Sequence, residues 1–221
     1  MTPYALRLTE DRFDPGAAYS PPLAPLCRVL YVRSGDLVIT SGGSDSHVSA
    51  DGAWHGAGGC AGRAGPRGAL VLRYELVGNG RPSGDHGVTS TVLLQHPIDL
   101  DPTTQYLMRC DRVDFSPGGV ALPHRHKGGG IRCLIEGELE VRVGDAPGRV
   151  IQSGQAWFES GIEPVYAVAS RELATSFIRV SILPRVIKGQ SSIMYVDPAD
   201  AQRGKPRHYT VYADEPIEIG R

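Results

Sequence analysis

The sequence predicts an all-β protein made of two tandem antiparallel β-units and a C-terminal arm, and three observations predict it. The chain repeats itself. Its apolar residues come in short runs of Val, Ile, Leu and aromatics separated by Gly, Pro, Ser and Asp. No segment carries an amphipathic helix of three turns. With 28 Gly and 17 Pro among 221 residues, the composition favours many short strands over long helices.

The repeat orders the elements. Tyr4 to Gly16, YALRLTEDRFDPG, aligns with Tyr106 to Gly118, YLMRCDRVDFSPG, at an offset of 102. The offset holds without a gap to Ile39 and Val141, and sets Gly35 on Gly137, each in a Gly–acidic–Leu turn. Ala53-Trp54 then matches Ala156-Trp157 at offset 103, and Leu70 to Val77 matches Ser176 to Leu183 at offset 106. The drift falls where loops are expected, since loops tolerate insertions. Leu139 to Val143 alternates apolar and charged residues, the signature of a half-buried strand. The expected domains are a first unit with its linker over 1–98, a second unit over 99–183 and an arm over 184–221. Within the first, Arg81 to Ile98 reads as linker plus an entering strand. The arm is expected to pair with a sheet edge or to wrap the other unit.

Charge narrows the function. Lys and Arg number 23 against 24 Asp and Glu, so nothing favours nucleic acid or an anionic membrane as partner. No run of 18 apolar residues is present, so no transmembrane helix is expected. Cys27, Cys60, Cys110 and Cys133 form no C-x-x-C pair, and no secretory signal leads the chain. Reduced thiols and a cytoplasmic location follow as expectations.

The sharpest local feature is His124-Arg125-His126. On a strand, residues i and i+2 face the same way, so H-x-H sets two imidazoles side by side as a clamp for a transition metal. With seven histidines, such a pair arises by chance about one time in five, so its surroundings decide. Gly118 stands six residues before His124, with five between them, and Gly137 eleven residues after His126. This spacing resembles the first cupin motif, G-x5-H-x-H-x3-E-x6-G. Gly148 to Ser170 resembles the second motif loosely.

The resemblance implies two tandem cupin barrels of the jelly-roll, double-stranded β-helix type, a bicupin whose N-terminal unit is degenerate. There, Pro22 and Ala24 fall on His124 and His126, and Leu30 on Arg132. It also implies a divalent metal (Fe, Mn, Ni or Zn) held by His124 and His126, and a metal-dependent oxygenase or related enzyme. The alternative is a metal-free cupin that binds or senses a small molecule without catalysis. Two family ligands are missing: Gly130 stands where a Glu is expected, and Pro164 or Val165 where a His is expected. Glu159 is the first substitute ligand and Glu163 the second. Arg132 and Tyr166 are candidate substrate-binding residues, Arg132 being suited to hold a carboxylate. Arg73 and Arg179 match within the repeat and read as structural, as do Trp54 and Trp157. His55, His86 and His96 read as surface histidines. A small-molecule ligand is the expected partner, with the chain a monomer or a homodimer.

Overall fold

The computed structural model describes residues 4–78 and 87–219, so His86 and part of the expected linker lie outside the described residues. The chain divides into two compact units, one of Met1–Thr103 with Ile217–Arg221 and one of Thr104–Pro216.

Unit 1 holds β1 (Tyr4–Phe13), β2 (Arg28–Ser41), β3 (Ser44–Ser49), β4 (Gly52–Gly56), β5 (Ala61–Gly78) and β6 (Thr89–Ile98). Their order is β3-β2-β5-β1-β6, with β4 also on β2. Unit 2 holds β7 (Tyr106–Phe115), β8 (Val120–His126), β9 (Gly130–Glu136), β10 (Glu138–Val143), β11 (Arg149–Gln152), β12 (Ala156–Glu159), β13 (Val165–Ala169) and β14 (Thr175–Pro184). β15 (Ile193–Tyr195) and β16 (Arg207–Ile217) complete it. These form two five-stranded sheets, β11-β10-β13-β8-β15 and β12-β9-β14-β7-β16. The sheets face each other across one core, since Val113, Leu134 and Trp157 of one cluster with Leu139, Val141 and Val165 of the other. Each such side chain contributes roughly 1.5–3 kcal/mol on full burial. Trp157 and Phe177 meet edge to face at 5.3 Å.

The repeat is visible in the strand ends. Shifted by 102 residues, β2 begins where β9 begins and ends where β10 ends. At the bend between β9 and β10 stands Gly137, and at the matching place in β2 stands Gly35. Both have positive φ, 74° and 75°. A Cβ there would lie 2.1 Å from the Ala174 carbonyl and 2.0 Å from the Gly68 carbonyl. No side chain fits either turn.

One strand does not recur. Residues 18–24, the counterpart of β8, form only the isolated bridges Ala18↔Arg63 and Leu23↔Cys60. Pro21 and Pro22 lie there, with Pro25 just beyond, and prolines have no N–H to give a ladder.

Pro184 to Pro216 groups with the second unit. β15 and β16 are edge strands of its two sheets. β16 is also part of the repeat. Residues 210–217, TVYADEPI, parallel residues 91–98 of β6, TVLLQHPI, at an offset of 119. The parallel extends to contacts: Arg7 Nε donates to Gln95 Oε1 at 2.7 Å, and its counterpart Arg109 Nε donates to Asp214 Oδ1 at 2.8 Å. No helix among the described residues is long and apolar enough to cross a membrane, and all four cysteines are free.

Candidate ligand site in the second unit

A bulge aims the histidines. β13 pairs Ala167 with Ala121 and Val165 with His124, so Tyr166 faces two residues, Leu122 and Pro123. The extra residue turns β8 at a proline that could not have donated to the ladder. Beyond it His124 and His126 are buried, with Arg125 exposed between them. Their rings lie 4.9 Å apart and almost perpendicular.

Hydrogen bonds assign the protons. His124 Nδ1 lies 2.7 Å from the Leu122 carbonyl, which can only accept, so Nδ1 carries hydrogen and Nε2 keeps its lone pair. His126 Nε2 lies 3.2 Å from Glu159 Oε2 and donates to it. His126 Nδ1 is buried without a hydrogen-bond partner among the described residues. Burial holds both imidazoles neutral: it outweighs Glu159 and lowers His124 to about 4 and His126 to about 3.

Glu159 is the hub. It accepts from Trp157 Nε1 at 2.8 Å and pairs with Arg132 Nη2 at 2.7 Å. Burial alone would raise its pKa, but Arg132 and the hydrogen bonds from His126 and Trp157 together hold it well below the usual carboxylate range. Arg132, 1% exposed, also donates from Nη1 to the Gly130 carbonyl at 2.6 Å. Strand register explains the grouping. Trp157 stands opposite Arg132, Arg132 opposite Arg179 and Arg179 opposite Asp111. Two guanidiniums thus sit side by side, each with its own carboxylate, as Arg179 Nε donates to Asp111 Oδ1 at 2.9 Å.

Two spaces meet here. Between the sheets is a cavity of about 20 Å³ lined by His124, His126, Arg132 and Glu159, room for about one water-sized group. Beside it is a groove of about 470 Å³. The two share Arg179, Ile193, Arg207 and Tyr209. Arg109, Arg179, Lys205 and Arg207 line the groove against Asp111 and Asp214, leaving two positive charges in excess. Arg109 is engaged by both oxygens of Asp214 and by the Gln190 and Ile187 carbonyls. Arg207 is less committed. It lies over the Phe115 ring at 5.7 Å and donates from Nη2 to Tyr195 Oη at 3.3 Å. Its Nε is buried with no partner among the described residues.

The structure therefore brings His124, His126, Glu159 and Arg132 together. It does not bring Tyr166, which lies on the outer face of β13 beside Arg142, whose guanidinium is 6.0 Å from its ring. Glu163 is exposed and bonded to Ser160. The sequence reading missed Lys205, Arg207, Tyr209 and Tyr195. Their one signal was the alternation Arg207-His208-Tyr209, which puts Arg and Tyr on one face.

No family model and no curated protein matches the chain. Solved structures do. AerE from Microcystis aeruginosa is 17% identical over 81% of this chain and 88% of its own, with a TM-score of 0.61. The Lactobacillus farciminis oxalate decarboxylase formate complex is 11% identical over 91% and 82%, with a TM-score of 0.68. The salicylate 1,2-dioxygenase of Pseudaminobacter salicylatoxidans is 9% identical over 80% and 71%, with a TM-score of 0.56. The likeness is one of fold, and the fold is that of the cupins.

That fold raises the question of a metal, and the residues as arranged do not fit one. Catalytic metal centres use three protein ligands as a rule. Among the described residues no group of three or more His, Cys, Asp or Glu side chains is placed to hold an ion. The expected third ligand, Glu159, is bonded to Arg132, Trp157 and His126.

Proposed function

We propose that unit 2 of this cupin-fold protein binds a small anionic organic molecule in the groove and presents it to two neutral imidazoles. The observation that carries this reading is the surplus of positive charge at the junction of groove and cavity. Arg132, which the sequence offered for anion binding, is spent on Glu159. The anion-binding role passes to Arg207, whose Nε has no partner among the described residues, and to exposed Lys205. A carboxylate or phosphate there gains charge-assisted hydrogen bonds, each about twice as strong as a neutral one. Tyr209 supplies an aromatic wall.

The imidazoles suit hydrogen bonding to the bound molecule. His124 Nε2 offers a lone pair at neutral pH because Nδ1–H is fixed on Leu122. A neutral imidazole fixed in one tautomer accepts a hydrogen bond from an N–H or O–H of a bound molecule. Unit 1 lacks both histidines, and we assign it a supporting role.

A thermal-shift panel of small carboxylates and phosphate monoesters at constant ionic strength tests the reading. At least one is expected to raise Tm, and the double variant Lys205→Met/Arg207→Met to lose the rise. A panel without effect, or a rise that survives in the double variant, sinks the proposal.

A further inference from the structure

We propose that the Arg132 guanidinium is the resident cation of this barrel, a built-in replacement for a metal ion, and that its bond to Glu159 latches a dormant three-donor set shut. The inference rests on the same site as the proposed function but not on its ligand.

Two of the three donors already stand at ligand spacing, although the three as arranged hold no ion. Glu159 Oε2 and His126 Nε2 are 3.2 Å apart. Ligands about 2.0–2.2 Å from a tetrahedral ion stand roughly 3.3–3.5 Å from one another. His124 already holds the ligating tautomer, with Nδ1–H on a backbone carbonyl and Nε2 bare. His126 needs only to shift its proton from Nε2 to Nδ1. What stands in the way is Arg132, 2.7 Å from the same Glu159 oxygen.

The guanidinium is built in. Its Nη1 is fixed on the Gly130 carbonyl at 2.6 Å, and its strand is paired on both sides, to β12 and β14. Gly130 shows that the exchange reaches the backbone. A Cβ at this position would meet the Val180 carbonyl at 2.4 Å and Ser181 Oγ at 2.5 Å. β9 lies so close to β14 that no Glu can stand where the cupin motif expects one. The chain has closed the ligand position and supplied a fixed positive charge two residues along the same strand face. A divalent ion beside Arg132 would add like charge in a buried space.

Release of the latch is the test. The full-length protein is titrated with Co²⁺ and followed by its visible ligand-field absorption, with metal content measured after gel filtration. Wild type is expected to hold less than about 0.1 equivalent. Arg132→Met is expected to bind about one equivalent, at least about 100-fold more tightly than wild type. Arg132→Met/Glu159→Gln is expected to lose that gain. Arg132→Lys keeps the charge and is expected to stay metal-free. A saturable Co²⁺ band in wild type that disappears in His124→Ala/His126→Ala overturns the inference. So does a folded Arg132→Met that takes no metal. If Arg132→Met does not fold, the wild-type titration to about 100 µM Co²⁺ decides alone. Anion binding lost with metal exclusion intact would refute the proposed function only, and the converse would refute the latch only.

Discussion

Both units bury charged side chains, and to opposite effect. In unit 1, Ala69, Val71, Arg73 and Glu75 share one face of β5. Arg73 pairs with Asp11 at 2.7 Å and with Glu75 at 2.6 Å, and Arg28 pairs with Glu75 at 3.0 Å. Tyr19 and Ser90 donate to Asp11, so each member of the chain of charges has a partner. In unit 2 the repeat keeps Arg179 for Arg73. It puts Gly130 for Arg28, Ser181 for Glu75 and Val113 for Asp11. Into the freed space come Arg132 for Leu30 and Glu159 for Gly56, with the two histidines of β8. Buried polarity is common to both units and marks no site. Unpartnered buried polar atoms also occur in both among the described residues, Thr9 Oγ1 in unit 1 and His126 Nδ1 and Arg207 Nε in unit 2, but only the latter two line the cavity.

The comparison can be broken most forcefully in unit 1. Arg73→Met takes the ion-pair partner from buried Asp11 and one of two from Glu75, and is expected to cost about 3–5 kcal/mol in urea unfolding. A loss below about 1 kcal/mol would show that the network does not hold the unit. Acid probes unit 2 next. His124 and His126 titrate near 4 and 3 in the folded chain and near 6.5 when unfolded. Their folded values are depressed, so the unfolded chain takes up protons first as pH falls. Stability is full above about pH 6.5 and declines towards pH 4 and below. At pH 5 the expected loss is on the order of 1–2 kcal/mol per histidine. His124→Gln/His126→Gln should flatten the fall between pH 7 and pH 5, and an unchanged slope would rule the histidines out. Gly130→Ala is expected to cost about 1–3 kcal/mol through its clash with β14, measured by thermal unfolding. Arg28→Ala at the matching position in unit 1 instead breaks an ion pair. The smallest effect belongs to Tyr166→Phe. It should leave ligand affinity unchanged within about twofold, as the side chain is on the outer face.

Much of this arrangement was legible in the chain. The repeat showed because turns that admit only glycine and strands with buried faces restrict residue choice in both copies. The histidine pair showed because its glycine spacing is a backbone requirement. Arg132 and Glu159 could be named by strand parity, but not their bond to each other, because register across β9 and β12 is not written in either strand alone. The groove was hidden for a different reason. Arg207 and Tyr209 come from β16, and the intervening β15 and two short 3-10 turns shift the offset of β16 from β6 to 119. A search at 102 passes over it.

That displaced strand sets a timetable. Asp214 lies 105 positions from Arg109, whereas the β9–β10 bend closes within a few residues. Closure of so long a loop is entropically costly and is repaid only once the remaining sheet exists to receive the strand. The pairing of β7 with β16 is thus expected among the late events of folding, and its opening among the cheaper local excursions of the native state. A ligand that bridges Arg207 to the floor of the groove would be recognised only by chains that have completed this step, and amide-exchange protection on binding would concentrate along β16.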